Sequence, residues 1–472
     1  MYLPTIGLEI HAELKTKTKM FCGCKNDPDE NIPNTNVCPI CLGHPGVLPT
    51  INQEALKLMV KIGLALQGKI ANYSQFDRKS YFYPDLPKGY QISQYDYPIV
   101  ENAILNNIRI KRIHLEEDAG KLIHEANQSL VDFNRAGVPL MELVTFPDIK
   151  TAEEAVAFAK NLQQILRYLN ASDADMEKGQ MRIEVNISLA KDTDKELGTK
   201  VEVKNINSFK AVYDAIQYEI ERQTKVLKEG KKVIQETRGW DDIKAITVSQ
   251  RKKEEANDYR YFPEPDLPPL QIHQIFNLGE IKKEIPELPE EKRKRFKNEY
   301  QISNETIEIL VQDKSLAEYF ENAVSELYAK IKNANPQLLA NYLTSDILGL
   351  LKSQNQKFQD LKIKPEHLAH LIFLLQEQKL NSRLAKDILI QIFETGEDPE
   401  NIINKNNLEI LSDEKALEEI ANEIIKTNPK SVSDYKNGKQ NAIQFLVGQV
   451  MAKTKGKANP NVVRTILEKK LK

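Results

Sequence analysis

All four cysteines of this 472-residue chain fall within twenty positions: Cys22-Gly23-Cys24, thirteen residues, then Cys38-Pro39-Ile40-Cys41. Pairs one or two residues apart, joined by a short loop, suit four thiolates around a tetrahedral Zn²⁺. Such a site leaves no open position, so its role would be structural. Free buried thiols would not explain the clustering, and a disulfide is disfavoured in a reducing cytosol.

A second constellation is Gly7-Leu8-Glu9-Ile10-His11-Ala12-Glu13-Leu14. Strand alternation sends Leu8, Ile10, Ala12 and Leu14 to one face and Glu9, His11 and Glu13 to the other. Two carboxylates flanking an imidazole suit a hard cation such as Mg²⁺ or Mn²⁺. For one strand alone, a solvated sheet face is the competing reading. Other strand-like pieces add acids, however. Glu116, Glu117 and Asp118 follow Ile113-His114-Leu115, and Glu142 stands in the apolar run Pro139 to Val144. Glu184 shares a polar face with Arg182 and Asn186. A lone acid in an apolar run is costly unless it is paired or metal-bound. A third run, Phe76 to Gln94, carries Arg78, Lys79 and Lys88, which could hold phosphates. Its Tyr81 and Tyr83 could stack on a base.

Elements must position these groups. Met1 to Ala12, Met181 to Leu189 and Lys200 to Lys204 alternate as strands. Thr151 and Glu154 fit a capping box, and Val156, Ala159, Leu162, Leu166 and Leu169 then recur at helical spacing. A further helix is predicted from Ser208 to Gly230, a good terminating residue. From about Pro289 the texture turns helical, with Asn335-Pro336 as a helix start and Pro365 and Gly396 bracketing two of about five helices. From Pro429 to Lys472 ten bases face two acids, a net +8, which favours a polyanion partner; a solvated lysine-rich tail is the alternative.

Composition narrows the class. With 66 bases against 68 acids the whole chain is nearly neutral, so it carries no uniform basic coat. At 41% apolar and 28% charged residues it reads as soluble, with no membrane-length apolar run and no signal-peptide pattern, hence as cytoplasmic. There is no G-x-x-x-x-G-K-[ST], no G-x-G-x-x-G after a strand and no G-x-S-x-G. A nucleotide would be held by other means, and no serine hydrolase motif is present.

Taken together, several runs resemble one family over the whole chain: the B-subunits of the bacterial tRNA-dependent amidotransferases. They are Ile6 to His11, Phe76 to Ser93, Leu115 to Lys121, Asn134 to Leu140, Lys204 to Phe209, Asp258 to Asp266, and the tail runs Phe445 to Met451 and Gly456 to Pro460. The resemblance implies an α+β fold: a glutamine-synthetase-like cradle over residues 1–293 that includes the four-cysteine zinc cluster, an all-α helical domain over 294–410, and a small basic helical tail over 411–472. It implies ATP-dependent phosphorylation of the side-chain carboxylate of Glu-tRNA(Gln) or Asp-tRNA(Asn), then amidation by ammonia. Glu9, His11, Glu117, Glu142 and Glu184 would hold Mg²⁺ or Mn²⁺, with Glu117 chosen over Glu116 from the family pattern. Lys79 and Arg182 would stabilise the transferring phosphoryl group, and Arg78, Tyr81, Tyr83 and Lys88 would bind the nucleotide. Every cysteine sits in the proposed zinc cluster. The resemblance therefore assigns glutamine hydrolysis to a separate amidase (glutaminase), the A-subunit, joined by a small C-subunit in a heterotrimer. A non-catalytic tRNA-docking scaffold is the rival reading. A synthetase acting on a free amino acid is a second rival, which the basic tail disfavours.

Overall fold

The computed structural model describes residues 2–193, 196–252, 259–406, 414–454 and 457–471. Asp258, Ser412, Asp413, Lys455, Gly456 and Lys472, and the boundary expected at 410/411, lie outside the described residues. The chain divides into two compact units, residues 1–289 and 290–472.

The first unit is α+β. Its main sheet has nine strands among the described residues: β1 (Tyr2–Glu13), β2 (Lys69–Ile70), β3 (Val100–Leu105), β4 (Ile108–Glu117), β5 (Pro139–Thr145), β6 (Met181–Lys191), β7 (Val201–Ile206), β8 (Glu236–Asp241) and β9 (Ile246–Lys252). Their order is β9-β8-β7-β6-β1-β5-β4-β3-β2. Only the β7–β8 pair is parallel. β1 lies at the centre of this order. Ile6, Leu8, Ile10 and Ala12 are all buried, on the face that shares its core with Phe158, Leu162 and Leu166. Truncating one such core residue to alanine costs about 2–5 kcal/mol. The other face of β1 carries Glu9, His11 and Glu13, as the alternation predicts.

Three helices back the apolar face. Helix α1 (Gln53–Ala65) is capped by Asn52, whose side chain accepts from the Glu54 and Ala55 amides. Its Gly63 lets the sheet approach closely, since a Cβ there would stand 2.6 Å from a Val100 methyl. Helix α2 (Ala152–Tyr168) starts with the Thr151–Glu154 capping box, and α3 (Phe209–Lys228) starts at Ser208 and ends beside Gly230 in the left-handed region. A small three-stranded sheet joins Asp77–Ser80 to Tyr90–Ser93 and Phe262–Pro263. It is pinned to the end of β4, where the Gln91 amide donates to the Glu117 carbonyl over 2.7 Å.

The second unit is helical throughout its described residues. Asn335 caps a helix with Pro336 at its first position, and Pro365–Gln376 and Ser382–Thr395 lie between Pro365 and Gly396 as the sequence suggests. The segment expected to hold about five helices is cut into more and shorter ones. Asp313 caps a new helix directly after Gln312, and a π-helical turn at Tyr342–Ile347 interrupts another. Leu417, Ala421, Leu446, Val450, Val463 and Leu467 form an apolar core of their own near the C-terminus.

Candidate active site and cysteine cluster

Antiparallel register brings the polar side chains of four strands into rows. His11 on β1 stands opposite Glu142 on β5 and Arg182 on β6; Glu9 stands opposite Glu184; Glu142 stands opposite His114 on β4. Side chains directly opposite each other in such pairs have Cβ atoms about 5 Å apart, so these groups must interact. The His11 Nε2 is 3.4 Å from Glu142, 3.7 Å from Glu116 and 3.9 Å from Glu9. His114 Nε2 is also 3.4 Å from Glu142. One carboxylate thus sits between two imidazoles, with Arg112 3.6 Å from its other oxygen.

The electrostatics follow from crowding acids on a half-enclosed face. Burial alone would discharge His11, but its hydrogen bond to Glu142 and the charges of Glu142, Glu116 and Glu184 raise it to about 9. Burial, with Glu142 and Glu184 as like charges, pushes Glu9 up to about 7. Burial also acts upward on Glu142, yet the charge of His114 and hydrogen bonds from both imidazoles hold it well below the carboxylate range.

Glu116, not Glu117, joins this cluster. In β4, Ile113 and Leu115 are core residues, so Glu117 shares their parity and points away from the polar face. Its carboxylate pairs with Lys88 and accepts the Ile92 amide at 2.9 Å. Glu184 lies on the polar face and pairs with Lys204 at 2.8 Å. Lys79, in the small sheet, lies 5.1 Å from the Tyr259 ring centre and 5.9 Å from that of Tyr81. Burial opposes its charge, but Glu116, Tyr261 and Glu142 outweigh that and raise its pKa. Among the described residues no carboxylate comes within 4 Å of its ammonium. Arg182 instead is gripped by Asp118 through two bonds of 3.0 Å. Arg78 is held the same way by Glu264, at 2.7 and 2.8 Å, and stacks over Tyr90. Tyr81 packs edge-on between Tyr83 and Tyr259. Sequence reasoning counts Asp118 only as one of a run of acids and gives His114, Arg112 and Lys204 no role at the site; His114 and Arg112 carry a signal, as polar residues alternating with Ile113 and Leu115.

The cysteines differ in chemistry from this site but converge as closely. The four sulfurs lie within 4.8 Å of one another. The Cys38 amide donates to the Cys41 sulfur at 3.1 Å, and the Leu42 amide to the Cys38 carbonyl at 3.0 Å, and these bonds close the Cys38–Cys41 turn. Cys22 and Cys41 border a small cavity shared with Lys88, Glu117 and Gly137.

A broad, mostly antiparallel sheet that gathers carboxylates and imidazoles on one face is a rigid frame able to hold a cation or a charged substrate. Comparison with known proteins defines the class. Residues 4–277 match the family model described as the GatB/GatE catalytic domain, and residues 318–471 match the GatB domain. The chain is 48% identical over 484 aligned residues to the aspartyl/glutamyl-tRNA(Asn/Gln) amidotransferase B-subunit of Thermotoga petrophila, covering 100% of this chain and 99% of the relative. The proteins of the same name from Persephonella marina and Carboxydothermus hydrogenoformans are 46% and 45% identical, covering 99% and 100% of this chain and 99% of each relative. The chain belongs to this family of amidotransferase B-subunits.

Proposed function

We propose that this chain activates the side-chain carboxylate of a glutamate or aspartate carried on tRNA, within a tRNA-dependent amidotransferase. A free carboxylate does not accept ammonia, because oxide would have to leave. Transfer of the ATP γ-phosphoryl group to a carboxylate oxygen gives an acyl phosphate and ADP. Ammonia then attacks the acyl carbon and phosphate departs, leaving the amide. The observation that carries this reading is the cluster of Glu9, His11, Glu116, Glu142 and Glu184 on one sheet face, in a chain alike over its whole length to proteins named for this reaction.

The donor set fits a hard divalent cation: four carboxylates and one imidazole, with excess negative charge. Buried Arg112 Nε and His114 Nδ1 have no hydrogen-bond partner among the described residues, which also suits a site completed by a ligand. Bound there, Mg²⁺ or Mn²⁺ would neutralise the phosphate charge. Glu116, and not Glu117, would be the ligand from β4, because it faces His11 while Glu117 pairs with Lys88. Lys79 faces the same cluster and would receive the charge of the transferring phosphoryl group. Arg182, fixed by Asp118, would offer its remaining N–H groups. Arg78 and Lys88 are held by carboxylates, so they would position the tyrosine loop around the nucleotide. Tyr81 and Tyr83 would line it.

The same reading supplies the rest. The first unit would be a cradle like that of glutamine synthetase, followed by a helical domain to about residue 410 and a basic tail that meets tRNA. Ammonia would come from the amidase A-subunit, with the small C-subunit completing a heterotrimer in the cytoplasm. Among the described residues no helix is long and apolar enough to cross a membrane. The four cysteines would hold a structural Zn²⁺. ATP hydrolysis by the assembled complex, with and without Glu-tRNA(Gln) or Asp-tRNA(Asn), tests the proposal. Hydrolysis should depend on the misacylated tRNA. A complex that binds tRNA and lacks this activity would leave the chain a docking scaffold.

A further inference from the structure

Lys15, Lys17 and Lys25 surround the start of the cysteine loop and are exposed. Two of them meet acids in the ordinary surface manner, Lys15 with Asp173 at 2.8 Å and Lys25 with Asp27 at 2.6 Å. Lys19 breaks the pattern: it is 0% exposed. Its ammonium donates to the Phe133 carbonyl at 3.2 Å and lies 3.9 Å from the Cys41 sulfur. Among the described residues no carboxylate comes within 4 Å of it. Its stem packs on Gly137, where an added Cβ would stand 3.6 Å from both Lys19 Cδ and Cys41 Cβ.

A buried ammonium is expensive unless a negative charge meets it. One carbonyl supplies a hydrogen bond and no charge. The nearest group that can be anionic is the Cys41 sulfur. Four neutral thiols would leave the lysine uncompensated, whereas four thiolates around a divalent cation carry a net charge of about −2. We infer that Lys19 is the charge partner of a tetrathiolate metal centre formed by Cys22, Cys24, Cys38 and Cys41. This rests on the zinc reading above. Cys41 then receives N–H···S contacts from two sides, the Cys38 amide and the Lys19 ammonium. Such outer contacts orient a ligand and draw charge from it, and they stabilise the bound metal. Lys19 is therefore a positioning residue for the metal and not a ligand. Through Phe133 and Gly137 it also fastens the cysteine loop to the turn that precedes β5.

The test compares wild type, Lys19→Met and Lys19→Arg in the assembled complex. Zinc per chain is measured by elemental analysis, zinc release by transfer to a chromogenic chelator, and thermal midpoints before and after stripping. Lys19→Met should release zinc about ten- to a hundredfold faster than wild type, the range for losing an outer-sphere partner, and Lys19→Arg should stay near wild type. After stripping, Lys19→Met should melt no lower than wild type, because only wild type then has an ammonium that has lost its anionic partner. A lysine that merely fills space would lower both midpoints alike and leave zinc release unchanged, which overturns the inference. Wild type free of zinc would instead overturn the zinc reading itself. Should Lys19→Met not fold, wild type decides. Brief acetylation followed by peptide mass spectrometry should label Lys19 only after zinc is stripped, and equal protection in both states overturns the assignment.

Discussion

The polar face of the sheet and the cysteine loop both gather groups able to hold a metal, and they do it in opposite ways. The sheet site takes its groups from four strands, β1, β4, β5 and β6, so rigid backbone pairing sets the distances. Its acids stand among bases of their own, two imidazoles, Arg112 and Lys204, and its charge is divided: Glu9 is raised while Glu142 is lowered. The cysteine loop takes all its sulfurs from one short segment that closes on itself, with a buried lysine beside it. Under the proposed function, oxygen and imidazole donors spread over four strands suit a cation and a substrate that come and go. Four thiols from one short segment suit a resident metal. Ligand hardness and the span of chain that supplies the ligands would then separate a working centre from a fastening.

The largest effect that could break this contrast is at its centre. His11→Ala should lower tRNA-dependent ATP hydrolysis by about 100- to 1000-fold, the scale for losing a group that stabilises transition-state charge, while glutaminase activity of the partner is spared. Full amidation by this variant would refute the sheet site. A finer cut separates two neighbouring acids. Glu116→Gln should cost about 100-fold in the same assay. Glu117→Gln should change it by less than about fivefold but destabilise the fold by about 2 kcal/mol, since half-buried Lys88 loses its partner. Equal kinetic losses would show that parity along β4 does not assign the role.

Removing residues 412–472 addresses affinity and leaves the chemistry alone. The basic tail should add phosphate contacts, so its loss should raise KM for charged tRNA about tenfold and flatten the salt dependence of binding. Superimposable titrations of full-length and truncated complexes would leave the tail without a part in tRNA recognition. The smallest effect on rate belongs to the cysteine loop. Replacing Cys38 and Cys41 together by serine should abolish zinc binding and lower the thermal midpoint, with kcat changed less than about threefold. A collapse of kcat comparable with that of His11→Ala would join the two regions into one machine.

Much of the frame is legible in residue order because the signals are local. The Thr151–Glu154 box, the Ser208 cap and the Asn335-Pro336 start each depend on a few consecutive residues, and the helices begin where these say. The alternation of β1 survives for the same reason. Between Glu116 and Glu117 the family pattern favours Glu117, while the apolar positions Ile113 and Leu115 carry the parity and set Glu116 on the polar face. The helical segment reads as too few helices because caps such as Asp313 interrupt a continuous apolar periodicity.

Residue order by itself determined which strand faces are polar, where the main helices start and that the four cysteines could meet, since a period of two and short spacings act within a single segment. Only the tertiary structure decided which polar faces share a row, that Arg78, Lys88 and Arg182 are held by Glu264, Glu117 and Asp118, and that Lys19 turns inward against Cys41. The physical reason is separation along the chain. Glu264 is 186 residues from Arg78 and Phe133 is 114 from Lys19, and pairings over such distances follow from sheet register and loop packing, which no local pattern encodes.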